Sequence, residues 1–429
     1  MHPQDSPSRT APRRAVFSWC VYDWANSAFS TVIVTFVFAA YFSQSVAESV
    51  ILGTAQWGWA VSASGLAIAI LSPIFGAIAD QGGGNKPWLA GFTVLCVIAT
   101  ALLWFTEPDP RFALWALVCF AIANMAQEMG YVFYNAMLPN LAPIGRLGRV
   151  SGWGWGLGYL GGMICLILTL VVFVRPDAPL FGLDKEQAEH IRVVGPLAAI
   201  WFAVFAVPLF LFTPDRPAIG APLGQAARDG ISNLIRTLRQ VRRHANIARF
   251  LLARLIYIDG LNTMFAFGGI YAAGTFGMGP AEILEFGIAL NITAGLGAAS
   301  FAWIDDWIGA KRTILIALAG LIGFGTSILL VEDKTLFWIL VLFLGIFMGP
   351  AQAASRSLMA RLAPPQQVTE MFGLFALSGK ITAFVGPAIF ASVTLAFDSQ
   401  RAGMATVIVF LLVGGLMMLF VSEQPDSQA

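Results

Sequence analysis

The chain has 429 residues, of which 58% are hydrophobic and only 11% are charged. Soluble domains average about 45–50% apolar and about 25% charged residues, so a soluble enzyme and a disordered chain are both excluded. A formal net charge of +1 provides no basic field for nucleic acid, and a mean hydropathy of +0.75 indicates lipid as the solvent. The four cysteines lie inside apolar runs and the three histidines outside them, so neither a metal site nor a cofactor site is predicted.

Apolar runs long enough to cross a bilayer recur along the chain. Crossing about 30 Å takes about 20 helical residues, and only helices or closed barrels satisfy every backbone group in lipid. The runs lack the alternation of barrel strands, so the sequence predicts an all-α integral membrane protein with twelve transmembrane helices. The predicted spans are 16–43, 54–79, 88–106, 111–140, 150–174, 194–213, 248–275, 281–304, 312–331, 335–360, 370–397 and 401–421.

The distribution of lysine and arginine predicts the orientation. With the N-terminus inside, the inner side holds 16 of these cations and the outer side holds 6. Because cations concentrate in cytoplasmic loops, we expect a multi-pass protein of the cell's inner membrane with both termini in the cytoplasm.

The longest connection, residues 214–247, combines apolar residues at helical spacing with arginines. This pattern is typical of an amphipathic helix on an anionic membrane surface, and equally of a basic linker whose charge only fixes topology. The apolar positions are Ile231, Leu234, Ile235, Leu238 and Val241, and the arginines are Arg236, Arg239, Arg242 and Arg243.

Motifs of the first half recur in the second. The pattern D-x-x-N-[ST]-x-F begins at Asp23 in the first helix and at Asp259 in the seventh. The sequence therefore predicts a parallel duplication of six helices, with residues 1–213 and 248–429 as the two halves. The fifth and eleventh helices share the glycine pairs Gly152 and Gly158, and Gly373 and Gly379.

A loop motif, G-x-x-x-D-x-x-G-x-x-[KR], follows the second helix, and a copy with alanine at its first position follows the eighth. Its first glycine allows close helix packing, its second allows a tight turn, and Asp with Lys or Arg forms an electrostatic latch. The motif resembles the signature of the major facilitator superfamily, which implies that the latch steadies the outward-facing state. We expect Ala302 to weaken packing slightly. The gating residues are Gly76, Asp80, Gly83 and Lys86 in the first copy, and Ala302, Asp306, Gly309 and Arg312 in the second.

Further motifs give a narrower resemblance. The motifs are Tyr22 to Phe29, Phe133 to Pro139, Ser151-Gly152, Gly156 to Gly162, Phe372 to Leu374, Ser378 to Lys380 and Gly386-Pro387. Together they resemble the vacuole effluxer family, the autophagy-related amino-acid effluxers and their bacterial relatives, and the likeness covers the whole chain. The resemblance implies efflux of amino acids.

Polar residues form stripes on helices one, four, seven and ten, whereas helices three, six, nine and twelve carry no interior charge. Since polar stripes in lipid must face protein or a wet cavity, we expect the first group to line the pathway and the second to be outer scaffold. The predicted substrate or proton residues are Asp23, Asn26, Ser27, Gln127, Glu128, Asn135, Asp259, Asn262, Arg356 and Lys380.

The buried charges differ between the halves. Asp23 and Glu128 are carboxylates of the first half, whereas Arg254, Arg356 and Lys380 are cations of the second. A cavity between the halves would then have carboxylates on one wall and cations on the other, which complements the ammonium and carboxylate of an amino acid. The alternative, of equal weight, is that these groups pair as structural or gating salt bridges.

These patterns predict a monomeric secondary transporter that works by alternating access. It would export or exchange small zwitterionic solutes, with a proton as the candidate coupling ion on Asp23, Glu128 or Asp259. Peptides, sugar derivatives or siderophores are the alternative cargo, and a solute receptor that does not transport is the alternative of another class. An enzyme is disfavoured because no H-E-x-x-H, G-x-S-x-G or P-loop motif occurs.

Overall fold

The computed structural model describes residues 11–176, 180–217, 223–239 and 244–423. Within these ranges twelve helices are long and apolar enough to cross a membrane, which confirms the predicted fold. We label them α1 to α12. In order they are Arg13–Val46, Leu52–Gly82, Lys86–Phe105, Pro110–Leu141, Ile144–Val174, Glu189–Phe212, Ala245–Phe276, Glu285–Ile308, Ala310–Leu330, Lys334–Leu362, Val368–Phe397 and Gln400–Met418.

Helix α11 is interrupted near its middle. It consists of two α-helical segments, Val368–Lys380 and Val385–Phe397. The interruption frees the backbone N–H of Gly386, which donates a hydrogen bond to Oδ2 of Asp259 at 2.9 Å. A break at membrane depth requires such a partner, because lipid offers none.

The first six helices meet the last six mainly along two helix pairs, α2 with α11 and α5 with α8. Small residues allow the close approach: a Cβ added to Gly76 would lie 2.5 Å from the carbonyl oxygen of Thr369. On the second pair, a Cβ on Gly152 would lie 2.5 Å from the methyl group of Ala302. The expected weakening of helix packing at Ala302 is therefore offset, because Gly152 on the partner helix has no side chain and leaves room for the Ala302 methyl group.

The long connection contains a helix, Leu223–Arg239, which we call the linker helix. It packs on the end of α2, where a Cβ on Gly230 would lie 2.8 Å from the carbonyl oxygen of Ala77. Of its predicted apolar residues, Leu234 is buried, whereas Ile231 and Ile235 are exposed. The predictions for Val241, Arg242 and Arg243 and for the side chains of Leu238 and Arg239 lie outside the described residues.

We call the side of the molecule that carries the linker helix the linker face, and the opposite side the distal face. The α2–α3, α4–α5, α8–α9 and α10–α11 connections lie on the linker face. There the two sets of six helices touch directly, for example where Ser72 Oγ donates to the carbonyl oxygen of Gly373 at 3.0 Å. The linker face is closed.

Candidate transport site

A cavity of about 610 Å³ lies between the first six and the last six helices. It extends from mid-membrane toward the distal face, where Phe36, Tyr271 and Ile283 line it. Its charged residues cluster at the closed, linker-side end. They are Asp23, Glu128, Arg254, Arg356 and Lys380.

Helices α1, α4, α7 and α10 all line this cavity as expected, together with α5, α8 and α11. The prediction that every third helix is outer scaffold is wrong for α9 and α12, since Ile328 and Val407 also line it. Part of the cavity wall is hydrophobic, and a hydrophobic wall needs no polar stripe. The lack of charge inside α9 and α12 therefore does not exclude these helices from the cavity wall.

Asp23 and Arg356 form an almost fully buried ion pair at the closed end of the cavity, which we call the sealed pair. Arg356 Nη1 lies 2.9 Å from Asp23 Oδ2, and the side chains are only 2% and 4% exposed. The guanidinium also donates from Nε to Ser151 Oγ at 2.9 Å and from Nη2 to the Ser151 carbonyl at 2.6 Å. Tyr134 donates to the same Asp23 oxygen at 2.8 Å. Both charges are thus neutralised and hydrogen-bonded.

Aromatic rings surround this sealed pair. The Arg356 guanidinium carbon lies 4.9 Å from the ring centroid of Trp19 and 5.7 Å from those of Tyr134 and Trp155. Ring faces attract the cation and exclude water. The alternative of a structural or gating salt bridge fits this pair, whose partners come from different halves.

Glu128 and Lys380 form a second ion pair that is open to the cavity. Lys380 Nζ lies 2.7 Å from Glu128 Oε1, and the side chains are 30% and 26% exposed. Within the described residues neither side chain makes another hydrogen bond. Lys380 is the last residue of the first α11 segment, so the interruption of α11 ends beside a charge in the cavity.

Asp259 lies outside the cavity, at the interruption of α11. It is 2% exposed and accepts the hydrogen bond from Gly386 described above. Its other oxygen, Oδ1, has no partner among the described residues. The predicted position of Asp259 in the cavity is therefore wrong. Its carboxylate instead caps the N-terminus of the second α11 segment, Val385–Phe397.

The remaining predicted residues divide into two groups. Ser27, Asn135 and Asn262 line the cavity. Asn26 and Gln127 instead join α1 to α4, where Gln127 Nε2 donates to the carbonyl oxygen of Asn26 at 3.0 Å. These two residues hold helices together, which is the common use of amides in membrane bundles.

Arg254 was noted as a buried cation but left out of the predicted site. It lines the cavity and is 9% exposed. Nη1 donates to the carbonyl oxygen of Phe375 and to Ser378 Oγ, each at 2.7 Å, and the guanidinium carbon lies 3.5 Å from the Phe375 ring centroid. Among the described residues it has no carboxylate partner, and its Nε has no hydrogen bond. Sequence position alone did not reveal which of the three cations lacks a partner.

The first copy of the loop motif closes the linker face. Asp80 accepts hydrogen bonds from the backbone N–H groups of Thr369 at 3.2 Å and Glu370 at 2.7 Å, at the N-terminus of α11. Arg216 Nη1 lies 3.1 Å from the same carboxylate. Asp80 thus caps a helix of the other half, where the helix dipole favours an anion.

The second copy makes the corresponding contact with α5. Asp306 accepts from the N–H of Gly148 at 2.9 Å and of Arg149 at 3.2 Å, and the Arg149 side chain adds an ion pair at 2.9 Å. Each motif aspartate therefore caps a helix across the interface. Its ionic partner is an arginine outside the motif.

The motif cations bind carbonyl groups instead. Lys86 Nζ donates to the carbonyl oxygen of Phe210 at 2.9 Å, and Lys311 Nζ to that of Leu419 at 2.8 Å. Arg312, the predicted gating residue, is exposed and makes no hydrogen bond within the described residues. The prediction is wrong by one residue. In the second copy Lys311, and not Arg312, makes the contact that corresponds to that of Lys86.

Turn length explains this shift. Gly83 and Gly309 both have positive φ, 69° and 94°, which glycine adopts without strain. After Gly309 the next helix begins at once, whereas Gly84 and Asn85 separate Gly83 from α3. The cation that binds the carbonyl group therefore follows the glycine by three positions in the first copy, at Lys86, and by two in the second, at Lys311.

Comparison with known proteins identifies the family. Residues 59–428 match the family described as vacuole effluxer Atg22 like. The chain belongs to this family. The uncharacterized MFS-type transporter YxiO of Bacillus subtilis is 27% identical over 413 residues, which are 96% of this chain and 95% of that protein.

Fungal members of the Atg22-like family are longer. Autophagy-related protein 22-1 of Penicillium rubens is 26% identical over 298 residues, which are 64% of this chain but 49% of that protein. The chain thus matches about half the length of this relative.

Solved structures confirm the major facilitator fold. The proton:xylose symporter XylE has a TM-score of 0.74 at 13% identity, and the alignment covers 95% of both chains. The human organic anion transporter MFSD10 has a TM-score of 0.74 at 15% identity and covers 96% of this chain and 100% of its own. This Atg22-like protein is therefore a multi-pass membrane transporter of small molecules and not an enzyme.

Proposed function

We propose that this Atg22-like protein exports or exchanges small zwitterionic solutes, with amino acids as the main class, and acts as a monomer in the inner membrane. The two halves, residues 1–213 and 248–429, would alternate access to the cavity between them. The family description as an effluxer supports export, and the sequence resemblance supports amino acids.

The observation that carries this proposal is the accessible Glu128–Lys380 pair. It offers a carboxylate and an ammonium group, 2.7 Å apart, to a cavity of about 610 Å³. A zwitterion can replace this contact by placing its ammonium on Glu128 and its carboxylate on Lys380. Such an exchange leaves no charge unpaired, which keeps its cost low.

Proton coupling fits the same carboxylate. Of the predicted proton carriers, Asp23 is only 4% exposed in its pair with Arg356 and Asp259 caps α11. Glu128 is 26% exposed and lines the cavity. A proton and a substrate ammonium would compete for Glu128, and competition for one group is what an antiporter needs. We therefore propose that Glu128 carries the proton.

The linker face is the cytoplasmic side in this proposal, as the cation distribution predicts. Asp80 and Asp306 would then cap α11 and α5 only while the cytoplasmic side is closed. The cavity extends toward the distal face, so with this orientation the structure would correspond to an outward-facing state. Loss of both caps would accompany opening to the cytoplasm.

Counterflow in proteoliposomes tests the function. Vesicles loaded with an unlabelled amino-acid mixture should accumulate labelled amino acid, and Lys380→Gln vesicles should accumulate it about tenfold to a hundredfold more slowly. Arg175→Gln is the matched control, because Arg175 is exposed and lies outside the cavity. Accumulation of labelled peptide or sugar but of no amino acid would mean that the substrate is not an amino acid. Binding without counterflow would indicate a receptor.

A further inference from the structure

The charges at the closed end of the cavity do not balance. Asp23 neutralises Arg356, and Glu128 neutralises Lys380. Arg254 remains without a carboxylate partner among the described residues, although it is nine-tenths buried. The cavity therefore has one positive charge in excess.

The neighbours of Arg254 position its guanidinium without cancelling its charge. They are a carbonyl oxygen, the Ser378 hydroxyl and the ring of Phe375, all neutral. Arg356 shows the contrast, since it has an aspartate at 2.9 Å and two bonds to Ser151. The Arg254 guanidinium lines the cavity and its Nε has no hydrogen bond, so it retains the charge and the donor capacity to bind an anion.

Arg254 also lies beside the accessible pair. A Cβ on Gly379 would be 3.2 Å from Arg254 Nη1, and Gly379 directly precedes Lys380. Absence of a side chain at Gly379 thus lets the guanidinium approach the turn of α11 that carries Lys380. Arg254, Lys380 and Glu128 line one end of the same cavity.

We propose that the preferred cargo is an amino acid of net charge −1, with one ammonium group and two carboxylates. Glu128 binds the ammonium, Lys380 binds one carboxylate and Arg254 binds the second. This inference rests on the proposed function and narrows its substrate class from zwitterions to amino dicarboxylates.

The test is counterflow of two matched pairs, L-glutamate with L-glutamine and L-aspartate with L-asparagine, which differ in charge at nearly equal size. A charge-assisted contact contributes about 1.5–3 kcal/mol, so wild type should prefer the anionic member by about tenfold or more. Arg254→Gln should reduce this ratio to about 1, Arg254→Lys should retain part of it, and Arg175→Gln should leave it unchanged.

The possible results separate the two proposals. Exchange of neutral amino acids with no preference for the anionic members overturns the inference and leaves the proposed function intact. Exchange of no amino acid overturns both. If Arg254→Gln does not fold, the wild-type ratio and its reduction in Arg254→Lys decide, and an anion preference unchanged in Arg254→Lys would contradict the role of Arg254.

Discussion

Two ion pairs at the cavity join the halves, and they differ in their exposure. The Asp23–Arg356 pair is sealed, with side chains 4% and 2% exposed, and is surrounded by hydrogen bonds and aromatic rings. In the Glu128–Lys380 pair the side chains are 26% and 30% exposed, and each makes a single hydrogen bond. We therefore propose two purposes for similar chemistry: the first pair would hold the halves together, and the second would exchange partners with solute.

The sealed pair should show the largest effect on stability. Asp23→Asn leaves Arg356 buried without its anion, and Arg356→Gln leaves Asp23 without its cation. We expect each single variant to lose about 3–5 kcal/mol and the double variant to recover much of the loss. Melting temperatures of the purified proteins measure this, and unchanged melting in both singles would mean that the pair is not structural.

The accessible pair should respond in the opposite way. Glu128→Gln and Lys380→Gln remove a pair that water partly reaches, so the stability loss should stay below about 1 kcal/mol. Counterflow should fall by about tenfold to a hundredfold, since each variant removes a charge-assisted contact with the substrate. A large drop in melting temperature with intact counterflow would assign this pair to the scaffold as well.

The latch aspartates are expected to lie between these two extremes. Asp80→Asn and Asp306→Asn each weaken a helix cap and an ion pair at the closed linker face. We expect a shift of about 1–2 kcal/mol toward the state open at the linker face. Thiol labelling of a cysteine placed at Ser72 should increase in both variants, and equal labelling in wild type and variants would exclude a gating role.

The smallest effect separates two neighbouring cations. Lys311 binds the carbonyl oxygen of Leu419, whereas Arg312 is exposed. Lys311→Met should lower stability by about 0.5–1 kcal/mol through loss of this contact at the end of α12. Arg312→Gln should change it by less than about 0.5 kcal/mol. A larger loss of stability in Arg312→Gln than in Lys311→Met would instead support Arg312 as the residue that makes the contact.

The sequence was sufficient for the fold because helix length and apolarity in lipid leave few alternatives. It also identified most charged residues of the cavity, since a buried charge in an apolar run needs a partner or a function. It could not pair them: Arg356 and Lys380 lie only 24 positions apart on adjacent helices, but their partners depend on helix rotation and depth.

Asp259 and Arg254 illustrate the same limit. The motif shared with Asp23 predicted a cavity position for Asp259, but the interruption of α11 created a backbone amide that this carboxylate caps. Hydrophobic periodicity does not mark that interruption; the signal in the sequence is Pro387, because proline disrupts the preceding helical turn. Among the described residues Arg254 has no ion-pair partner, and the two carboxylates that line its cavity pair with Arg356 and Lys380, which is a property of the three-dimensional arrangement.

The charge-swapped variant Glu128→Lys with Lys380→Glu tests the central claim most directly. The swap retains the ion pair, so the melting temperature should remain close to that of wild type. Counterflow should be lost, because the swap places a carboxylate on the α11 side of the cavity, beside Arg254, and a cation where the substrate ammonium binds. Wild-type counterflow in the swapped protein would show that the pair only holds the halves together and would contradict its role as the transport site.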